Sequence, residues 1–68
     1  MAIGDVWEYL HGQHRRYRVI GFHQMAATSG FYSVHILHMR RDGVTTGQGK
    51  WCPVRHGETV AIGYKLVL

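Results

Sequence analysis

Hydrophobic and polar residues alternate with a period of two along most of this chain. Between residues 31 and 39 both sets of alternate positions carry apolar or aromatic side chains, as in a strand that is covered on both faces. Residues 60–68 place Val60, Ile62, Tyr64, Leu66 and Leu68 on one face, which predicts a last strand with one apolar side. Residues 17–22 alternate in a similar way. The pattern predicts an all-β protein.

Turn signals separate these runs at short intervals. Residues 11–14 predict the first hairpin connection, and residues 55–58 predict the last. Asp42-Gly43 predicts a two-residue type I′ turn, in which both central positions need a positive φ. Residues 24–30 form a looser predicted loop, with one helical turn at Ala26-Ala27. Five short strands joined in this way predict a small five-stranded antiparallel barrel of SH3-like or OB-like type.

The first apolar segment fits two kinds of element. Val6, Tyr9 and Leu10 also fit a short helix. A strand is preferred because Gly4 and Gly12 bracket the segment too closely for a stable helix.

Two further residues predict irregularities in the sheet. Gly21 predicts a bend or bulge in the second strand. Pro53 cannot donate a hydrogen bond to a ladder, so it places the end of the fourth strand at a sheet edge or a bulge.

The length of the chain limits what it can be. Its 68 residues predict one domain, 1–68, near the lower limit for folding without a disulfide or metal. A homo-oligomer is expected, because self-association would extend the small core. The lone Cys52 excludes an intramolecular disulfide. No apolar run approaches the roughly 18 residues that would span a bilayer. The first residues lack a secretory signal, so no membrane association and a cytoplasmic location are expected.

Charge gives the main functional indication. The net charge is +4 and the isoelectric point is about 9.7, which suits an anionic partner. The arginines occur in two groups, Arg15-Arg16-Tyr17-Arg18 and Arg40-Arg41, and each group lies beside a predicted turn. In an antiparallel meander the first and third turns lie at the same end of the sheet, so both groups are expected there, with His11, His14 and His38 beside them.

Arginine binds phosphate oxygens, and aromatic side chains can stack on bases. The sequence therefore predicts a DNA- or RNA-binding site with seven residues: Arg15, Arg16, Arg18, Arg40 and Arg41 on phosphates, with Tyr17 or Trp51 on a base. The alternative is that these arginines form a solvated hairpin end that resists aggregation, and that the two aromatic residues belong to the core.

Catalytic, metal and cofactor sites are not expected. His35 and His38 lie three apart on a strand and so point to opposite faces. Cys52 and His56 lack a neighbouring carboxylate to orient them, and core packing is the preferred role for the cysteine. The segment Gly47-Gln48-Gly49-Lys50 matches a phosphate-binding loop at neither end, and it is predicted to be a flexible lead into the fourth strand.

Three segments carry a resemblance to a known class of proteins. They are Ile3-Gly4-Asp5-Val6-Trp7, Tyr17-Arg18-Val19-Ile20-Gly21 and Lys50-Trp51-Cys52-Pro53-Val54. Together they resemble the small SH3-like barrel proteins of phages, prophages and other mobile elements. The resemblance implies the barrel fold, and some proteins of this class bind nucleic acid or host proteins. Apolar residues on both faces of the predicted strands also give an alternative function, in which the barrel binds or inhibits a host protein through an apolar and aromatic face.

The plasmid-borne trimethoprim-resistant dihydrofolate reductases are SH3-like chains of similar size that build one active pore per tetramer. Their Val-Gln-Ile-Tyr-Pro pore motif has no match in this sequence, so none of their catalytic residues is transferred. A homo-oligomer with a shared enzymatic pore is a further alternative.

Overall fold

The computed structural model describes residues 1–24 and 30–67, and every regular element among them is a β-strand. The strands are β1 (Val6–Tyr9), β2 (Arg16–Gln24), β3 (Phe31–Met39), β4 (Thr45–Arg55) and β5 (Tyr64–Val67). They form one antiparallel sheet in the order β4-β3-β2-β1-β5. The all-β prediction is confirmed, and so is a strand rather than a helix at the start of the chain.

The two outer strands of the sheet are β4 and β5. No ladder of hydrogen bonds joins them among the described residues, so the sheet does not close into the barrel that the sequence predicts. Pro53 lies in β4, an edge strand, as expected of a residue that cannot donate to a ladder. No helix in the described part of the chain is long and apolar enough to cross a membrane.

One compact cluster of side chains forms the core. It contains Trp7, Val19, Val34, Ile36, Val54, Ala61 and Tyr64. These residues come from all five strands and from the segment before β5, so the sheet must curl to bring its two edges around a single core. The alternation in the sequence determines which face is buried, because every second residue of a strand points to the same side.

Two irregularities shape the sheet. Between β2 and β3 the register shifts at Ile20, which confirms the bulge predicted beside Gly21. Between β3 and β4 residues 47–49 lie opposite Leu37 alone. The prediction that this glycine segment is a flexible lead into β4 is therefore wrong. The segment lies within β4 and forms a bulge there. Gly47 and Gly49 have φ angles of 79° and 73°, which favour glycine.

The turn before β4 differs from the predicted type I′ turn. The Arg40 amide donates to the Val44 carbonyl at 2.8 Å and the Gly43 amide donates to the Arg40 carbonyl at 2.9 Å, so the loop has three residues. Gly43 has a φ of 88°, but Asp42 is not in the left-handed region. The Asp42 carboxylate instead accepts a hydrogen bond from the Val44 amide at 3.0 Å, which stabilises the longer loop.

The last strand is shorter than predicted. It begins at Tyr64, and the preceding residues form turns in which the Tyr64 amide donates to the Ala61 carbonyl at 3.2 Å. Gly63 has a φ of 91°, so the chain turns there and the alternation does not continue across it. Ile62, predicted on the apolar face, is fully exposed. The predicted helical turn at Ala26-Ala27 and the predicted strand position of Leu68 lie outside the described residues.

Candidate functional site

Four of the predicted arginines lie together at one end of the sheet. The pairing of β2 with β3 places Arg16 opposite Met39, so the connection before β2 and the connection after β3 lie side by side. Between them is a cleft of about 650 Å³, which we call the basic cleft. Its lining includes Arg15, Arg16, Arg40 and Arg41, together with Glu8, His14 and His38.

Glu8 is the acidic residue of the basic cleft. Its carboxylate lies 3.4 Å from Arg16 Nε, 3.5 Å from His14 Nδ1 and 3.6 Å from Lys65 Nζ. Burial favours a higher pKa for Glu8, but the positive charges of these three neighbours and the hydrogen bond from Arg16 lower it below its ordinary value. Glu8 is therefore ionised at neutral pH and partly neutralises Arg16.

The other three arginines of the cleft make weaker contacts with neighbouring side chains, or no ion pair, within the described residues. Arg40 pairs with Asp42 at 3.3 Å, and both side chains are exposed, so the pair contributes at most about 1 kcal/mol. Arg15 donates to the amide oxygen of Gln13 at 3.3 and 3.4 Å. Arg41 makes no ion pair within the described residues. Two guanidinium groups, those of Arg15 and Arg41, thus have no carboxylate partner in the described part of the chain.

The remaining predicted site residues lie outside the basic cleft. Arg18 is half-buried, and it donates to the Gly4 carbonyl at 3.0 Å and to the Met39 sulfur at 3.4 Å. The Arg18 side chain therefore connects the N-terminal segment to the sheet. Tyr17 points to the core face, where its ring contacts those of His38 and Tyr64.

Trp51 is the exposed aromatic residue of β4, with 53% of its surface accessible. It stacks on His35, and its ring also contacts that of His23. Cross-strand partners lie on the same face of a sheet, and so do alternate residues of one strand. Arg16 pairs with Met39, which lies four residues after His35 in β3. Because His35 pairs with Trp51, the indole is on the same face as Arg16. Tyr17, between Arg16 and Arg18, lies on the opposite face.

A second cluster was not anticipated from the sequence. The Nζ atom of Lys50 lies over three tyrosine rings, 4.8 Å from the centroid of Tyr17 and 5.6 Å from those of Tyr9 and Tyr64. We call these three rings the tyrosine cage. The rings come from the neighbouring strands β2, β1 and β5, whereas Lys50 comes from the outer strand β4. The contact between Lys50 and the cage therefore depends on the curl of the sheet, for which the sequence pattern carries no signal.

The contact between Lys50 and the cage shifts the pKa values of Lys50 and Tyr64. A hydrogen bond with Tyr64 raises the pKa of Lys50 above its ordinary value, although burial opposes this. Burial raises the pKa of the Tyr64 hydroxyl, although Lys50 opposes that. Both directions hold Lys50 charged and Tyr64 neutral at neutral pH.

Beside the cage lies an apolar groove of about 530 Å³. Cys52 and Pro53 of β4 line one side, and residues 60–64 line the other. Cys52 is a half-buried free thiol that packs against the core. No group of three or more His, Cys, Asp or Glu side chains within residues 1–24 and 30–67 is arranged to hold a metal ion.

Comparison of the chain with protein-family models, with curated proteins and with solved structures gave no match.

Proposed function

We propose that this protein is a non-catalytic nucleic-acid-binding domain whose basic cleft binds backbone phosphates. The observation that supports the proposal is the meeting of four arginines from two connections in one cleft, where Arg15 and Arg41 have no carboxylate partner among the described residues. A guanidinium group presents a planar set of donors that matches phosphate oxygens.

Trp51 supports single-stranded nucleic acid as the ligand. It lies on the same sheet face as Arg16, and its stacking partner His35 precedes Met39 by four residues in β3. At about 3.3 Å per residue, that spacing is roughly 13 Å along the strand. An extended strand of nucleic acid can span such a distance within a few nucleotides, with phosphates in the basic cleft and a base on Trp51.

The strand order supports an SH3-like architecture for this domain. The strands form a meander from β1 to β4, and β5 returns to pair with β1. We propose that the sheet is an open form of the SH3-like barrel suggested by the resemblance to mobile-element proteins. The origin of the chain in a phage or other mobile element stays a prediction.

The experiment that tests the function is fluorescence anisotropy with labelled 20-nucleotide single-stranded DNA, single-stranded RNA and duplex DNA at several salt concentrations. Binding through three to four phosphates predicts a log–log salt slope of about −2 to −3 for single strands. Stronger binding to a single strand than to the duplex is expected, because only an unpaired base can stack on Trp51. The absence of binding at low salt, or binding that does not respond to salt, would overturn the proposal.

A further inference from the structure

The tyrosine cage has the geometry of a cation-binding site. The rings of Tyr9 and Tyr64 are 5.1 Å apart and inclined at 49°, and those of Tyr17 and Tyr64 are 5.8 Å apart and inclined at 79°. They therefore form walls of different orientation around one point, and Lys50 Nζ lies there. The face of an aromatic ring attracts a cation placed within about 6 Å of its centroid.

The walls of the cage are built independently of the lysine that fills it. Tyr9 and Tyr64 are paired across β1 and β5, and Tyr17 is paired with Trp7 across β2 and β1. Tyr64 is buried and also packs against Trp7 at 5.6 Å. Lys50 comes from β4, which forms no ladder with β5 or β1 in the described residues. Its exposed side chain can leave while three hydrogen-bonded strands keep the rings in place.

We propose that the tyrosine cage is a binding site for a methylated ammonium group, and that Lys50 occupies it as an internal competitor when no ligand is bound. A primary ammonium has three N–H donors to satisfy, and the surroundings that the cage gives Lys50 Nζ are the faces of three tyrosine rings. Methyl groups replace those donors and contact the rings, so a methylated ammonium loses less hydration when it enters.

The apolar groove favours a ligand with a stem attached to its ammonium group. The groove and the cage share Tyr64, and Cys52 in the groove is two residues from Lys50 on the same face of β4. A ligand whose ammonium lies in the cage can therefore place an aliphatic stem in the groove. Choline and the side chain of trimethyl-lysine both have this chemistry, and the experiment distinguishes them.

Competition by Lys50 makes a quantitative prediction. When a site is open for a fraction f of the time, the apparent dissociation constant is the intrinsic value divided by f. If Lys50 occupies the cage for about nine-tenths of the time, its removal strengthens ligand binding about tenfold. Lys50→Gln removes the charge and preserves most of the length of the side chain.

The test is an NMR titration that follows the aromatic resonances of the tyrosines, with wild type and Lys50→Gln as the two proteins. The probes are tetramethylammonium, choline and a short trimethyl-lysine peptide, with the unmethylated peptide for comparison. We expect the methylated probes to shift the resonances of Tyr9, Tyr17 and Tyr64 in both proteins, with about tenfold tighter binding to Lys50→Gln. Tighter binding of the peptide than of choline identifies a protein ligand, and the reverse identifies a small molecule.

The controls separate the cage from the rest of the protein. Tyr17→Leu in the Lys50→Gln background should abolish binding, whereas Tyr32→Leu, a half-buried tyrosine outside the cage, should not. Tyr9→Leu repeats the test if Tyr17→Leu does not fold by circular dichroism. The proposal is overturned if folded Lys50→Gln binds no methylated probe, if wild type binds none, if both proteins bind equally, or if the unmethylated peptide binds as well.

Discussion

His35 and Trp51 stack across β3 and β4 with their ring centroids 4.4 Å apart and their planes inclined at only 17°. The orientation of the histidine is fixed, because its Nε2 atom is hydrogen-bonded to the Gln48 carbonyl at 2.9 Å. That carbonyl lies in the glycine bulge of β4, so the bulge supports the stack. The result is an exposed indole stacked on His35, on the sheet face that also carries Arg16.

Replacement of Trp51 by alanine should weaken binding of single-stranded nucleic acid and leave its salt dependence unchanged. The loss should be about 1–3 kcal/mol, because one base loses its stacking partner. The slope should stay the same because no charge is removed. Phe22→Ala is the matched control, since Phe22 is also exposed but pairs with Val34 on the core face. Anisotropy measurements with equal losses for both variants would contradict a stacking role.

Replacement of Arg15 and Arg41 by glutamine should reduce both the affinity for nucleic acid and its salt dependence. Each phosphate contact contributes about 0.7 to the log–log slope for a single strand, so the double variant should lose roughly 1.4. Arg55→Gln is the charge-matched control for one substitution. Arg55 lies over the Phe31 ring, and its register with Phe31 places it away from the basic cleft. A fall of about 0.7 in Arg55→Gln, half that of the double variant, would show that only net charge matters.

The position of the two arginine groups at one end could be predicted, because it depends only on the number of strands between two turns. Which arginines point into the cleft depends on finer features. Arg18 does not line the basic cleft and instead donates a hydrogen bond to the Gly4 carbonyl, which no alternation pattern reveals. Tyr17 could have been placed correctly, since it lies between Arg16 and Arg18 and must face the other way.

The position of Lys50 over the tyrosine cage could not be predicted for a different reason. Lys50 and Tyr64 lie on the two outer strands, and they meet only because the whole sheet curls around the core. Curl results from the bulges and from packing of side chains of all five strands, so it is a property of the assembled sheet. The last strand was predicted too long for a local reason, because alternation was continued through Gly63, where the chain turns.

Replacement of Glu8 by glutamine should lower stability at neutral pH but not in acid. The folded pKa of Glu8 lies below its ordinary value of 4.5, so its ion pairs stabilise the protein fully above about that pH. The stabilisation is lost as the pH falls through the lower folded pKa, where Glu8 becomes protonated. The difference in melting temperature between Glu8→Gln and wild type should therefore disappear at low pH.

Glu58→Gln provides the control for that measurement. Glu58 is exposed and forms no ion pair within the described residues, so its replacement should have little effect at any pH. Thermal unfolding at several pH values measures both variants. A Glu8→Gln difference that persists unchanged in strong acid would show that the charge of Glu8 is not what stabilises the fold.

Replacement of Gly49 by alanine should be much more destabilising than the same change at Gly47. Both glycines have a positive φ, and an alanine there costs about 1–2 kcal/mol. A methyl group at Gly47 meets nothing within 4 Å. At Gly49 it overlaps the Ile36 carbonyl oxygen and lies 2.6 Å from the Leu37 side chain, so the backbone of β3 or β4 must move. Gly49→Ala should therefore cost at least about 2 kcal/mol more, in the range of overpacked sites.

Urea unfolding measures the free energy of unfolding of both variants, and equal costs would contradict the close approach of the two strands. Because Lys50 follows directly, Gly49→Ala should also displace the lysine from the tyrosine cage.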